Sequence, residues 1–134
     1  MKKSKIILTT GKRKRAIARA SLQAGSGVIR INKQLLSFYT PDLARDRITE
    51  PLVLAGDITN GVNIDVNVKG GGWQSQAEAS RLAIARALLE HDKKLKQTFL
   101  NYDRHLLVAD VRRNEICKPN DSGKPRKKRT KSYR

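Results

Sequence analysis

Three stretches of this 134-residue chain have residue types and spacing that could do chemistry, and in each the chemistry is the holding of an anion. The first is Lys69-Gly70-Gly71-Gly72, which runs into Ser75-x-x-Glu78, a capping-box spacing that opens a helix. Backbone N–H groups freed by glycine and the positive end of a helix dipole would point the same way there, which suits a phosphate. Glycines equally let one backbone approach another, so a purely structural turn is open on the same residues. The second stretch is Gly11-Lys12-Arg13-Lys14-Arg15. The third is Gly123 to Arg134, where seven of twelve residues are Lys or Arg and none is acidic. That segment has almost no apolar surface to set against the entropy lost on ordering, so it needs a polyanion.

Other chemistries lack their residues. The chain has no G-x-x-x-x-G-K-[ST] and no G-x-G-x-x-G. His91 and His105 stand in no nucleophile or metal-ligand spacing, and Cys117, the only cysteine, rules out an internal disulfide or a cysteine-based zinc site. A non-catalytic protein without metal or cofactor is expected. No apolar run could span a membrane, and the apolar part of Lys5-Ile6-Ile7-Leu8 is too short for a signal peptide, so the chain reads as soluble and cytoplasmic.

Charge points to the partner. Residues 1–19 carry eight Lys/Arg and no acid, residues 112–134 carry ten against Glu115 and Asp121, and the 92 residues between them are near neutral at +1, within a total of +17. Such density favours nucleic acid. The basic stretches lack the interleaved Leu, Phe or Trp of a membrane anchor, and their few aromatics point to phosphate and shape rather than stacked single-stranded bases. Trp73 could stack on a base or serve as core or lid.

These stretches need a frame. Ile6 to Gln23 reads as one extended element crossed by the basic cluster, with Ala16, Ala18, Ala20 and Leu22 on one face. Gly25-Ser26-Gly27 predicts a turn into a returning strand, Val28 to Ile31, that makes a hairpin with it. Asn32-Lys33 predicts another turn, and Leu35, Leu36, Phe38 and Tyr39 offer core contacts. Thr40-Pro41-Asp42 predicts a helix N-terminus with Thr40 as cap, and Pro51 predicts its end near Glu50. Asn63 to Val68 alternates strictly and predicts a strand. The following helix, to about Glu90, should bury Ala77, Leu82, Ile84, Ala85, Leu88 and Leu89. Arg81 falls inside that arc, with its stem on the core and its head at the rim; a buried, paired guanidinium is the alternative. Asp92 predicts a cap for a third helix burying Leu95 and Phe99, and Arg104 to Asp110 a last strand. Breakers and charges then dominate, which sets a globular domain over 1–111 and an extended basic tail over 112–134.

The motifs Gly11-Lys12-Arg13-Lys14-Arg15-Ala16-Ile17-Ala18-Arg19, Lys69-Gly70-Gly71-Gly72 with Gln76, Arg81 and Ala83-Ile84-Ala85-Arg86-Ala87-Leu88, and the ending Lys131-Ser132-Tyr133-Arg134 together resemble the family of the ninth protein of the small ribosomal subunit, in its archaeal and eukaryotic branch. The family usually has glycine at Ser75 and proline at Val111. The resemblance implies an α/β fold of α+β type: two layers, with a mostly antiparallel sheet covered by helices and a left-handed β-α-β crossover. It implies a structural constituent of the small subunit that binds ribosomal RNA of the subunit head beside neighbouring ribosomal proteins. RNA contacts are then expected from Lys12, Arg13, Lys14, Arg15, Arg19, Lys69, Gly70, Gly71, Gly72, Arg81, Arg112, Arg113, Lys124, Arg126, Lys127 and Lys128. Arg129, Lys131 and Arg134 are expected to meet the anticodon stem-loop of peptidyl-site tRNA. Charge alone would also permit a basic DNA-binding or chromatin protein, although no helix-turn-helix or zinc motif is present.

Overall fold

The structure, a computed structural model, describes residues 5–119 and 125–126. Strands β1 (Ile7–Arg13), β2 (Ala16–Ala24), β3 (Ile29–Ile31) and β4 (Gln34–Leu35) precede helix α1 (Asp42–Ala55); strand β5 (Val62–Lys69) then leads to helices α2 (Trp73–His91) and α3 (Leu95–Tyr102). The strands form one sheet in the order β1-β2-β5-β3-β4. Neighbours are antiparallel except β3 and β5, which run parallel and are joined through β4 and α1. This is the expected α+β architecture, a mostly antiparallel sheet with helices.

The pairing differs from the local pattern. Residues Val28 to Ile31 do not fold back on β2, because β5 lies between them and takes the whole length of β2, from Ala24↔Val62 to Ile17↔Lys69. The Gly25-Ser26-Gly27 turn is held by β5 instead: the Ser26 and Val28 N–H groups donate to Asn63 Oδ1 at 2.9 and 3.0 Å. The Asn32-Lys33 turn forms as expected, with both residues at positive φ. Asn32 also prolongs the ladder, since its Oδ1 accepts from the Val68 N–H at 2.9 Å and its Nδ2 donates to the Val68 carbonyl at 3.3 Å.

One face of the sheet is the core. Ala16, Ala18, Ala20 and Leu22 of β2 and Val62, Ile64, Val66 and Val68 of β5 are buried, and α2 packs on this face. The helix is buried more widely than a single arc, because α1 and the residues after α3 cover its other sides; Ala79, Ser80, Ala83 and Ala87 are all inaccessible. Leu89 is half-buried. The alanines have a reason: the helix lies close to the strands. A Cβ on Gly11 would stand 2.2 Å from the Ala79 carbonyl oxygen and 2.7 Å from the Ala83 nitrogen. The Thr9 hydroxyl donates to the Ala83 carbonyl at 2.8 Å.

Several local expectations are corrected. Helix α1 continues through Pro51 to Ala55 because its buried stripe of Ala44, Ile48, Pro51, Leu52 and Ala55 is unbroken, and burial offsets the ~3 kcal/mol that an interior proline costs. Pro41, not Thr40, is its N-cap residue, and no side chain caps it. Tyr39 is buried and Leu36 packs on the core, whereas Leu35 and Phe38 face solvent. Residues Arg104–Leu106 form a 3₁₀ turn rather than a strand, started by Asp103, whose carboxylate accepts from the His105 N–H at 2.9 Å. Asp92 does not cap α3, whose N-cap residue is Lys94 with no side-chain cap; its carboxylate accepts from the Lys94 N–H at 3.0 Å just before the helix, and Leu95 and Phe99 are buried as expected.

Replacing Gly11 with alanine should therefore lower unfolding free energy by roughly 1–3 kcal/mol, the range for overpacking a tight contact. Gly61→Ala, where nothing lies within 4 Å, should change it by less than about 0.5 kcal/mol. Urea unfolding of the two variants measures the difference.

Candidate nucleic-acid interface

The basic cluster does not cross one long strand: it is the tip of a hairpin. β1 and β2 pair down to Arg13↔Ala16, which leaves Lys14 and Arg15 as the two turn residues, with Lys14 at φ 52°. Lys12, Lys14 and Arg15 are exposed.

Directly against this tip lies the glycine run. Gly70 and Gly71 have φ of 80° and 67°, and a Cβ on Gly70 would sit 2.6 Å from the Arg15 carbonyl oxygen. One on Gly71 would meet the Ala16 nitrogen at 3.2 Å. These two glycines thus have the structural role, because they allow the β5–α2 turn to rest on the hairpin turn. Gly72 has open space around it and is the N-cap residue of α2. The expected capping box does not form: no side chain caps α2, which begins at Trp73, and Glu78 is recruited by Arg13 instead. Gln76 steadies the turn, its Nε2 donating to the Gly70 carbonyl at 3.2 Å. Trp73 is 49% exposed beside this turn and is no part of the core.

Lys12, Lys14, Arg15 and Lys69, from two motifs more than fifty residues apart, consequently share one end of the molecule with the positive pole of α2. None of these four side chains is in an ion pair among the described residues, nor is Arg19, which points to the sheet face away from α2.

Arg13 behaves differently. Its Nε is 2.5 Å from Glu78 Oε2 and its Nη1 3.4 Å from Asp110 Oδ2, with the side chain largely buried. Asp110 also accepts from the backbone N–H of Arg112 at 2.9 Å and from its guanidinium at 2.8 Å. Hydrogen bonds from the Arg112 side chain, then from its backbone, hold the Asp110 carboxyl far below the usual carboxylate range. The start of the C-terminal segment is thereby fastened to the basic hairpin, and Arg112 and Arg113 emerge exposed from the same end. Glu78, read from its spacing as a capping residue, and Asp110, two residues ahead of Arg112-Arg113, are positioning residues whose shared partner Arg13 lies too far away in sequence for the pattern to reveal. Arg126 pairs with Glu115 at 2.7 Å, and Glu115 also pairs with Lys118. Lys124, Lys127, Lys128, Arg129, Lys131 and Arg134 lie outside the described residues.

Arg81 is the buried, paired alternative, not a snorkelling side chain. It is 6% exposed, and its Nη2 lies 2.6 Å from Glu50 Oε2 and 3.1 Å from Asp103 Oδ2. It joins α1, α2 and the turn after α3. Arg86, in the same helix, donates to the Thr10 carbonyl at 2.8 Å and the Leu107 carbonyl at 3.1 Å, pinning β1. Both work inside the protein. Among the described residues no group of His, Cys, Asp or Glu could hold a metal, and no helix is long and apolar enough to cross a membrane.

The small α+β domain thus gathers at one end cations that are in no ion pair among the described residues, and Arg112 and Arg113 leave from that end exposed. A family model described as ribosomal protein S9/S16 matches residues 11–134. The chain is 50% identical over 133 residues to the small ribosomal subunit protein uS9 of Methanococcus vannielii, covering 97% of this chain and 99% of that protein. It is 49% identical, over the same shares, to the protein of that name from two strains of Methanococcus maripaludis. The chain belongs to the ribosomal protein S9/S16 family, in agreement with the non-enzymatic reading.

The Arg81 site makes a prediction about stability. Arg81→Ala should cost about 3 kcal/mol, the low end for breaking a buried pair, because both carboxylates keep some solvent. Burial, the largest single influence on Asp103, raises its pKa, but the His105 N–H and the Arg81 guanidinium together hold it below its ordinary value. A depressed folded pKa contributes stability above the unfolded value of about 4, and that stability is lost as pH falls further. Urea midpoints measured from neutral to acid pH should therefore decline, and Asp103→Asn should flatten part of the decline.

Proposed function

We propose that this chain is a structural constituent of the small subunit of the cytoplasmic ribosome. In this reading a globular domain over 1–111 binds ribosomal RNA of the subunit head, alongside neighbouring ribosomal proteins. The observation that carries it is the meeting of the hairpin tip with the glycine turn, which presents Lys12, Lys14, Arg15 and Lys69 at one end as cations in no ion pair among the described residues. The curated relatives, aligned over nearly the full length of both chains, carry small-subunit names. Phosphate contacts supply affinity and position, and each neutralised phosphate releases a counterion. Arg13 and Arg81 hold the frame and are not assigned to RNA. Arg19, Arg112, Arg113 and Arg126 are further cations assigned to RNA in this reading.

The basic segment 112–134 extends the reading. Lys124, Lys127 and Lys128 track ribosomal RNA, and Arg129, Lys131 and Arg134 meet the anticodon stem-loop of peptidyl-site tRNA. Sixteen residues from Pro119 to Arg134 can span roughly 50 Å when extended, enough to carry the ending well away from the domain.

Tagged protein should sediment with small subunits and lose that association on ribonuclease treatment; retention on chromatin after RNA digestion would favour a DNA-binding protein instead. Replacing Lys12, Lys14 and Arg15 with alanine should impair incorporation into subunits. Deleting Thr130 to Arg134 should leave incorporation intact but weaken peptidyl-site tRNA binding and lessen its salt dependence, and unchanged tRNA affinity would contradict the contact.

A further inference from the structure

The face of the sheet turned away from α2 is not covered by any helix among the described residues. It forms a trough of about 900 Å³ across β1, β2, β5 and the β3–β4 turn. Arg19 rises from β2, Arg30 from β3 and Lys33 from the turn, and all three are exposed. Arg30 is register partner to Asp65; among the described residues Asp65 is the only acid lining the trough, and yet none of the three cations is in an ion pair.

We infer that this trough is a second RNA-docking surface, adjoining the hairpin tip, in which Arg19, Arg30 and Lys33 hold successive phosphates of an RNA backbone. The inference rests on the ribosomal RNA partner proposed above. Charge complementarity selects the occupant: among the described residues three cations outside any ion pair face one carboxylate, on a surface with no aromatic side chain to stack a base. Spacing agrees with a backbone track. Arg19 and Arg30 lie two strands apart in the sheet, about 10 Å at ordinary strand spacing, so side chains from neighbouring ridges reach different phosphates. Between them on β5, Asp65 and Asn67 offer a carboxylate and an amide, and Ser21 beside Arg19 on β2 a hydroxyl, that can bond the ribose 2′-hydroxyl, the group that marks RNA from DNA. The surface is continuous with the tip, because Lys12 and Lys69 project from the same face at its end.

The test measures binding of the full-length chain to small-subunit ribosomal RNA over a range of salt, with hydroxyl-radical footprinting of the complex. The Arg19→Gln, Arg30→Gln, Lys33→Gln triple variant is compared with a Lys12→Gln, Lys14→Gln, Arg15→Gln variant; melting of both is expected to match wild type. The triple variant should lower the salt slope by about 2 to 3 units, at roughly 0.7–0.9 per phosphate. It should also deprotect nucleotides that the tip variant leaves protected. Unchanged slope and footprint in the triple variant, with loss in the tip variant, would overturn the trough and leave the tip standing. Loss of affinity only when another small-subunit protein is present would overturn it in favour of a protein partner. No effect from either variant would contradict the RNA-binding reading itself.

Discussion

Everything in this molecule depends on how closely α2 can lie on the sheet. Gly11 on β1, and Ala16, Ala18 and Ala20 on β2, leave little side chain between the strands and Ala79 and Ala83 of the helix. Only at that distance do the ends of the elements come into register. The helix begins where the hairpin turns, so the glycines that lead into it must pass against the Arg15 carbonyl and the Ala16 nitrogen. A bulkier contact would lift α2 and carry its positive N-terminus away from the hairpin tip, while the β2–β5 pairing down to Ile17↔Lys69 would keep Lys69 beside that tip. The alanines that dilute the strand signal of β2 let α2 bring its N-terminus to the charged end.

The same frame divides the arginines into two kinds. Arg13, Arg81 and Arg86 face inward, where Glu78, Asp110, Glu50, Asp103 and backbone carbonyls satisfy them. Their planar, multi-donor heads suit such shared positions, which a lysine would fill poorly. Lys12, Lys14, Arg15, Arg19 and Lys69 face outward and are in no ion pair among the described residues, which leaves their charge for a polyanion. Four of the chain's twelve acids, Glu50, Glu78, Asp103 and Asp110, are committed to the inward arginines Arg13 and Arg81. Association through the outward set should weaken with salt, while the partly buried pairs are screened much less.

Much of this was legible in the sequence, for physical reasons that differ by element. Strict alternation gave away β5, and the unequal distribution of charge gave away both basic ends. The Asn32-Lys33 turn was readable because asparagine tolerates the left-handed region. What depended on distant partners was not readable. Nothing local in Val28 to Ile31 says that it will lie beside β5 rather than β2. Ser75 and Glu78 match a capping box, yet Arg13, sixty-five residues away, takes the carboxylate. Arg104 to Asp110 has strand composition, but Asp103 turns its start, and the segment serves to bring Asp110 under the hairpin. For the site, the motifs were visible while their meeting was not, since the roles of Gly70 and Gly71 rest on a contact with Arg15 and Ala16.

The central claim is that the hairpin tip and the glycine turn form one RNA-facing end. A cryo-electron microscopy map of small subunits containing this chain tests it most directly. The account predicts the Lys12, Lys14, Arg15 and Lys69 head groups within hydrogen-bonding reach of RNA phosphates, about 2.7–3.2 Å, with Arg13 and Arg81 still paired to their carboxylates. A map in which that end faces solvent or another protein, with the RNA elsewhere, would contradict it.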